Sequence, residues 1–386
     1  RSGAKPIVID DVREAARLWG IPTGLLEDLA AVTDEAVELH QRLRDLAVSE
    51  GTAILAPALE RADLVEVLGA GDGRAWMFRL GEPALGAAEA GPLHGQRLAV
   101  KDCIAVAGVP MTLGTSFFRH VPAKHASVVE RALAHGAALV GTTVCESLCL
   151  SGSSFTSSTG PVPNPFDADL SAGGSSSGSA AVIARGEADI ALGTDLGGSV
   201  RNPAAWCGIT ALKPTFGVVP YTGAMATEIT MDHIGLMART ASALEPFLLA
   251  IAGPDDADSR QAGVELLRPA GNRNPRIALV AEGFGHPRAD ARIDRAVRNA
   301  AAMLAALVSH STLGEVSVPL HRHASDIHAS IAGEGSLVTL FEQALQGSNH
   351  AGPYDSALAT AFAVALRDRP DQLPFNAMAT LVATSV

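Results

Sequence analysis

Two loops rich in glycine and serine, and one lysine, are the parts of this sequence whose residue types could do chemistry. The segment Gly173-Gly-Ser-Ser-Ser-Gly-Ser-Ala180 opens a predicted helix, and Gly193-Thr-Asp-Leu-Gly-Gly-Ser199 follows a predicted strand. A serine hydroxyl is a nucleophile once a neighbouring group takes its proton, and Lys101, at the end of the apolar strand 97–100, is a candidate base. Backbone amides of glycine loops can converge on one point and stabilise developing negative charge.

Each of these features alone has other interpretations. A single Gly/Ser loop is also typical of a flexible turn, and a lysine at a strand end is usually solvated. Gly174-Ser-Ser-Ser-Gly178 matches the nucleophile-elbow pattern of α/β-hydrolases, with Ser176 as the nucleophile. A Walker phosphate loop is not supported, because Ser179 and Ala180 follow Gly178 where that motif needs Lys-Ser or Lys-Thr. Phosphate binding by the amides at the helix start remains physically open.

The combination and order of the motifs resemble the amidase signature family. Lys101 precedes Ser175 by 74 residues, and Ser175 precedes Ser199 by 24. The similarity covers residues 85–260 closely and extends loosely to about residue 320; one departure is Ser177, where the family usually has glycine. Within the family, the chain looks most like bacterial broad-range amidases, aryl acylamidases and metagenomic urethanases.

The resemblance implies a Ser-Ser-Lys triad. Ser199 would be the nucleophile, Ser175 a bridging serine that follows a cis Gly174–Ser175 peptide bond, and Lys101 the final base. The implied oxyanion hole consists of the amides of Leu196, Gly197, Gly198 and Ser199, and the implied supporting residues are Ser176, Thr194, Asp195 and Arg201. Lys101 must be neutral to act as the base, so its pKa must fall by about 3.4 units for half deprotonation at pH 7. We expect burial beneath the loops to lower the pKa.

The substrate follows from the same resemblance. The tentative pocket over Ser199 is lined by few charges, which favours a neutral acyl or aryl group; its residues are Cys149, Ser151, Gly152, Phe155 and Tyr221. We expect an acyl-enzyme route for small amides, anilides and carbamates. The alternatives are an esterase that uses Ser176, the A subunit of a tRNA-dependent amidotransferase, and a non-catalytic anion-binding module.

The fold predicted by the pattern is an α/β protein with a single large mixed β-sheet covered on both faces by helices. Short apolar strands alternate with helices from residue 97 onwards, and strands 276–280 and 316–318 flank a helix at 293–308. Residues 1–84 are predicted to form an N-terminal helical segment and linker, and 85–386 the amidase signature domain. The family closes with a further strand-rich segment, so we expect the domain to be incomplete at Val386.

Composition narrows the partners. The net charge of −12, with no basic cluster, argues against nucleic acid, so a small molecule is the expected partner, with the protein a monomer or homodimer. Four irregularly spaced cysteines suggest no disulfide framework or zinc site, and His321, His323 and His328 are interpreted as surface or supporting residues; no metal or other cofactor is expected. No apolar run of 18 residues and no signal peptide is evident, so a cytoplasmic location without membrane contact is expected.

Overall fold

A computed structural model describes residues 64–66, 74–81, 90–116, 118–261, 276–287, 289–308, 311–325, 327–328, 331–332 and 335. All of them lie in the second of the two units into which the chain divides, Ala56–Val386. The helices predicted before residue 49 and the irregular segment after residue 335 fall outside the described residues.

A mixed seven-stranded sheet forms the centre of the molecule. Its strands are β1 (Leu64–Glu66), β2 (Trp76–Leu80), β3 (Arg97–Lys101), β4 (Ala138–Thr143), β5 (Ile190–Asp195), β6 (Thr210–Leu212) and β7 (His233–Ala238). Their order across the sheet is β1-β2-β4-β3-β5-β7-β6. The central strands β4, β3 and β5 are parallel, and the pairings on either side are antiparallel.

The sheet starts earlier in the chain than the boundary at residues 84 and 85 drawn from the sequence. Strands β1 and β2 already belong to it, and Trp76, Met77 and Phe78 are buried in the core. The turn residues on either side of β2 conceal a five-residue strand, which is too short for its alternation to stand out.

Five α-helices are described: α1 (Ser127–Ala134), α2 (Ser177–Ala184), α3 (Arg201–Trp206), α4 (Ala241–Ile251) and α5 (Ala291–Leu307). Helix α2 packs against β3, β4, β5 and β7, while α4 packs against β6, β7 and α1. Every residue of β5 is buried, as expected of a parallel strand covered on both faces. These observations confirm the predicted α/β class.

A second, two-stranded parallel sheet joins β8 (Arg276–Val280) to β9 (Thr312–Val316), with α5 packed on both. The predicted strand at 276–280 matches β8, and the predicted helix at 293–308 matches α5 within two residues. The second predicted strand is wrong in place, because β9 ends where it was expected to begin. Within the described residues, β8 and β9 pair with each other and not with the seven-stranded sheet.

The register between β3 and β5 brings the loops of interest together. Leu98 pairs with Ile190 and Val100 with Leu192, so both strands end at the same edge of the sheet. At the opposite edge, Arg97 donates hydrogen bonds to both carboxylate oxygens of Asp189. The carboxyl ends of parallel strands are where α/β proteins commonly place their ligand sites.

Candidate active site

Lys101 is the last residue of β3, and its side chain is completely buried. The Nζ atom donates hydrogen bonds of 2.8 Å to Ser175 Oγ and of 2.8 Å to Thr194 Oγ1. Thr194 lies near the end of the neighbouring strand β5, and Ser175 lies just before α2. The two chemically distinctive loops therefore meet at one buried amine.

Ser175 is held by the chain segment that follows β4. Its carbonyl accepts a hydrogen bond of 3.1 Å from Glu146 N, and Gly174 N donates one of 2.9 Å to Gly152 O. The peptide bond Gly174–Ser175 is cis, which confirms that prediction. A Cβ atom at residue 174 would lie 2.0 Å from Ser153 O, so only glycine fits there.

The candidate nucleophile Ser199 lies beside this cluster and is partly exposed. Its carbonyl accepts a hydrogen bond of 3.1 Å from Ser176 N, which ties the two loops together. The hydroxyl of Ser199 forms no hydrogen bond with any residue that the structure describes. Hydrogen bonds between catalytic groups are often loose before substrate binds, so the link from Ser175 to Ser199 stays a prediction.

Asp195 organises the loop that carries Ser199. Its fully buried carboxylate accepts hydrogen bonds from the amides of Gly198 and Val200 and from the half-exposed guanidinium of Arg201. Burial by itself raises the pKa of Asp195, but the bonds from Arg201 outweigh it and hold the pKa below its ordinary value. Asp195 is therefore ionised at neutral pH and keeps the loop in one conformation.

The same bond narrows the implied oxyanion hole. Gly198 N donates to Asp195 Oδ1 at 2.8 Å, so this amide already has a partner. The amides of Leu196, Gly197 and Ser199 are left as the candidate donors to a substrate oxygen.

Three thiols change the electrostatics of Lys101. Burial by itself lowers the pKa of Lys101, but negative charge on Cys149, followed by Cys103 and Cys145, raises it above its ordinary value. Hydrogen bonds from Cys103 and Cys145, together with the charge of Lys101, hold the pKa of the Cys149 thiol well below its usual range. The expectation that burial alone would lower the pKa of Lys101 is therefore wrong, because it left out these thiols.

The residues predicted to line the pocket are divided by the structure. Phe155 is 61% exposed, Cys149 is partly buried and Gly152 is exposed. Ser151 is buried, and its hydroxyl accepts a bond from Ser153 N. Tyr221 lies in the hydrophobic core, where its hydroxyl donates a bond of 2.8 Å to Met225 O and Arg260 lies over its ring, so it is not free to line a pocket.

Ser176, the nucleophile of the esterase alternative, is fully buried at the start of α2. Its hydroxyl donates a bond of 3.3 Å to Thr194 O. An attacking serine must reach an exposed position, so this geometry favours a supporting role for Ser176.

Three residues that sequence reasoning did not assign to the site contribute to it. Glu146 is buried below the Gly174–Ser175 peptide and accepts two bonds from Thr156, and Asn202 Nδ2 donates to Gly152 O at 2.6 Å. His328 lies against Gly197. Proximity of Asn202 to Ser199 in the sequence could have indicated the second of these, whereas only the folded chain shows the others.

Comparison with known proteins places these features in a family. Residues 74–356 match the sequence profile of the family described as Amidase. The chain is 42% identical to an enantioselective amidase of Rhodococcus rhodochrous over 286 residues, which are 71% of this chain and 54% of that protein. It is 45% identical over 183 residues to the A-type subunit of the glutamyl-tRNA(Gln) amidotransferase of Halobacterium salinarum, covering 47% of this chain and 43% of that one.

Among solved structures, a peptide amidase from Stenotrophomonas maltophilia superimposes with a TM-score of 0.63 at 26% identity, covering 77% of this chain and 62% of that one. The chain thus spans about half the length of the two curated relatives named above. No helix in the described part of the chain is long and apolar enough to cross a bilayer. In that same part, no group of three or more His, Cys, Asp or Glu side chains could hold a metal ion.

Proposed function

Because this chain belongs to the amidase family, we propose that it hydrolyses carbon–nitrogen bonds of small neutral amides, anilides and carbamates through a covalent acyl-enzyme. One observation carries the proposal: the completely buried Lys101 Nζ lies 2.8 Å from Ser175 Oγ. A buried amine bonded to a serine hydroxyl is the arrangement that a serine nucleophile needs when no histidine serves as its base.

In the proposed reaction, Ser199 Oγ attacks the carbonyl carbon while its proton passes to Ser175 and from there to Lys101. The negative charge that develops on the substrate oxygen is met by the amides of Leu196, Gly197 and Ser199. The relay then returns a proton to the departing nitrogen, the carbon–nitrogen bond breaks, and the amine leaves. Water attacks the ester of Ser199 by the same relay, which releases the acid and restores the hydroxyl.

The position of Ser199 supports a small, uncharged substrate. The serine is partly exposed at the sheet edge, and the exposed Phe155 offers apolar surface on the adjoining segment. The enantioselective amidase and the peptide amidase named above bear names of amide-cleaving proteins, in keeping with this substrate class. An amide and a carbamate place the same demands on the relay, so both belong to the proposal.

The test is release of aniline from a small anilide and from the matching aryl carbamate. We expect Lys101→Ala, Ser175→Ala and Ser199→Ala each to lower kcat/KM by at least about 1000-fold, because the three groups act as one unit. Ser158→Ala, at an exposed serine of the same region, is the matched control and should keep wild-type activity.

Other outcomes separate the alternatives. Full activity of Ser199→Ala together with loss in Ser176→Ala would assign the esterase route instead. Ammonia production from glutamine only in the presence of added partner proteins, with no anilide hydrolysis, would assign an amidotransferase. Absence of both hydrolysis and labelling by a fluorophosphonate would leave only anion binding.

A further inference from the structure

His328 lies against the loop that carries the candidate nucleophile, although 129 residues separate it from Ser199. A Cβ atom built on Gly197 would be 2.4 Å from His328 Nε2 and 2.6 Å from Cε1. The edge of the imidazole therefore occupies the space that a side chain at residue 197 would fill. Because an amide nitrogen and the Cβ position of the same residue are about 2.5 Å apart, Nε2 lies within about 5 Å of Gly197 N.

The Nε2 atom of His328 is buried and has no hydrogen-bond partner among the residues that the structure describes. A buried polar atom without a partner costs about 1 to 3 kcal/mol, and a specific group of this kind calls for an explanation. Gly197 itself is exposed, so the surface that the imidazole adjoins is open to an entering molecule. An imidazole nitrogen beside a candidate oxyanion donor is well placed to bond the same substrate oxygen.

We propose that His328 is a catalytic residue of this site: its Nε2–H donates a hydrogen bond to the substrate carbonyl oxygen, next to Gly197 N, as a side-chain member of the oxyanion hole. This inference rests on the proposed function and adds to it a donor that the sequence motifs do not contain. The bond strengthens as the carbonyl oxygen gains charge in the tetrahedral intermediate, so its main contribution is to kcat.

The experiment measures kcat and KM for anilide hydrolysis in His328→Leu, His328→Gln and His328→Asn. The amide nitrogen of Gln can reach the position of Nε2, whereas that of Asn is too close to the backbone. We expect Leu and Asn to lower kcat by about 100-fold with KM changed less than about threefold, and Gln to recover at least a tenth of wild-type kcat. His323→Leu, at an exposed histidine of the same segment, is the matched control and should leave both parameters unchanged.

A double-mutant cycle tests the contact itself. Gly197→Ala places a methyl group where Nε2 lies and so displaces the imidazole, which lowers kcat in the wild-type background. In a His328→Ala background there is no imidazole to displace, so the two effects should be far from multiplicative. Independent effects of the two substitutions would overturn the proposed position of Nε2.

A functional failure is equally clear. Wild-type activity in His328→Leu, or equal losses in Leu and Gln that follow a loss of thermal stability, would overturn the role of His328 while leaving the amidase proposal intact. A wild-type chain that neither releases aniline nor reacts with a fluorophosphonate would overturn both. Reaction of the fluorophosphonate with wild type but about 10- to 100-fold more slowly with His328→Leu would support the donor, because that probe also places an oxygen in the oxyanion hole.

Discussion

At the scale of single residues, the chemistry of this site depends on how four polar side chains share a buried space. Lys101 donates to Ser175 and Thr194, and Cys103 Sγ lies 3.5 Å from the same Thr194 hydroxyl. Cys149 completes the group by pairing with the lysine. A base in such surroundings has a proton affinity set by its neighbours as much as by its burial.

Replacement of Cys149 by serine should shift the pH dependence of catalysis. The thiolate raises the pKa of Lys101, and only the neutral lysine can accept a proton, so activity should rise with pH towards that raised pKa. In Cys149→Ser the anionic partner is gone, the pKa of Lys101 falls, and the rise in kcat/KM should move to lower pH by about one unit or more.

A pH–rate profile of the two proteins from pH 6 to 10 makes this measurement. Cys207→Ser is the control: Cys207 is also a buried thiol, but it donates to Ala172 O and is absent from the groups that act on Lys101. Coincident profiles for wild type and Cys149→Ser would show that the thiol does not govern the lysine.

At the scale of elements, much of the site could be predicted because the motifs lie at ends of strands and helices. Lys101 ends β3, and Ser175 lies just before α2, as the pattern indicated. Tyr221 was placed wrongly because a loop position does not show whether an aromatic ring faces substrate or core. His328 and Glu146 reach the site from distant parts of the chain, and no local pattern encodes such contacts.

Gly174→Ala tests how tightly the element before α2 is packed. The added methyl group would lie 2.0 Å from Ser153 O and 2.9 Å from Glu146 Cγ. Backbone atoms cannot move aside as a flexible side chain can, so we expect a loss of about 3 kcal/mol in the free energy of unfolding and at least a 100-fold loss of activity.

Urea unfolding and anilide hydrolysis measure the two effects. Gly314→Ala, in β9, is the matched control, because a Cβ atom there meets nothing within 4 Å. A stable and active Gly174→Ala protein would contradict the packing described around Ser175.

At the scale of the whole molecule, buried carboxylates make stability depend on pH. Burial raises the pKa of both Asp102 and Asp232 to about 7. In the unfolded chain an aspartate titrates near 3.9, so between about pH 4 and 7 the folded protein binds more protons than the unfolded one. The free energy of unfolding contributed by these groups therefore falls as pH rises through that window.

Asp232→Asn isolates one of these contributions. The variant keeps an oxygen that can accept from the amides of Thr227 and Glu228, but it has no charge to bury. Relative to wild type, we expect it to gain stability between pH 4.5 and 8, up to about 4 kcal/mol for a difference of about three pKa units. Urea titrations at several pH values measure the difference, and a constant offset between the two proteins across that range would contradict a raised pKa.

The pairing of β3 with β5 has a consequence for how this lineage can change. Leu98 lies opposite Ile190, Val100 opposite Leu192, and Arg97 and Asp189 close the far end. Because side chains alternate between faces, an insertion or deletion of one residue within either strand would turn Lys101 or Thr194 to the opposite face. Descendants of this sequence can therefore lengthen or shorten the loops beyond the strands and explore new substrates, whereas the count of residues within the two strands is frozen.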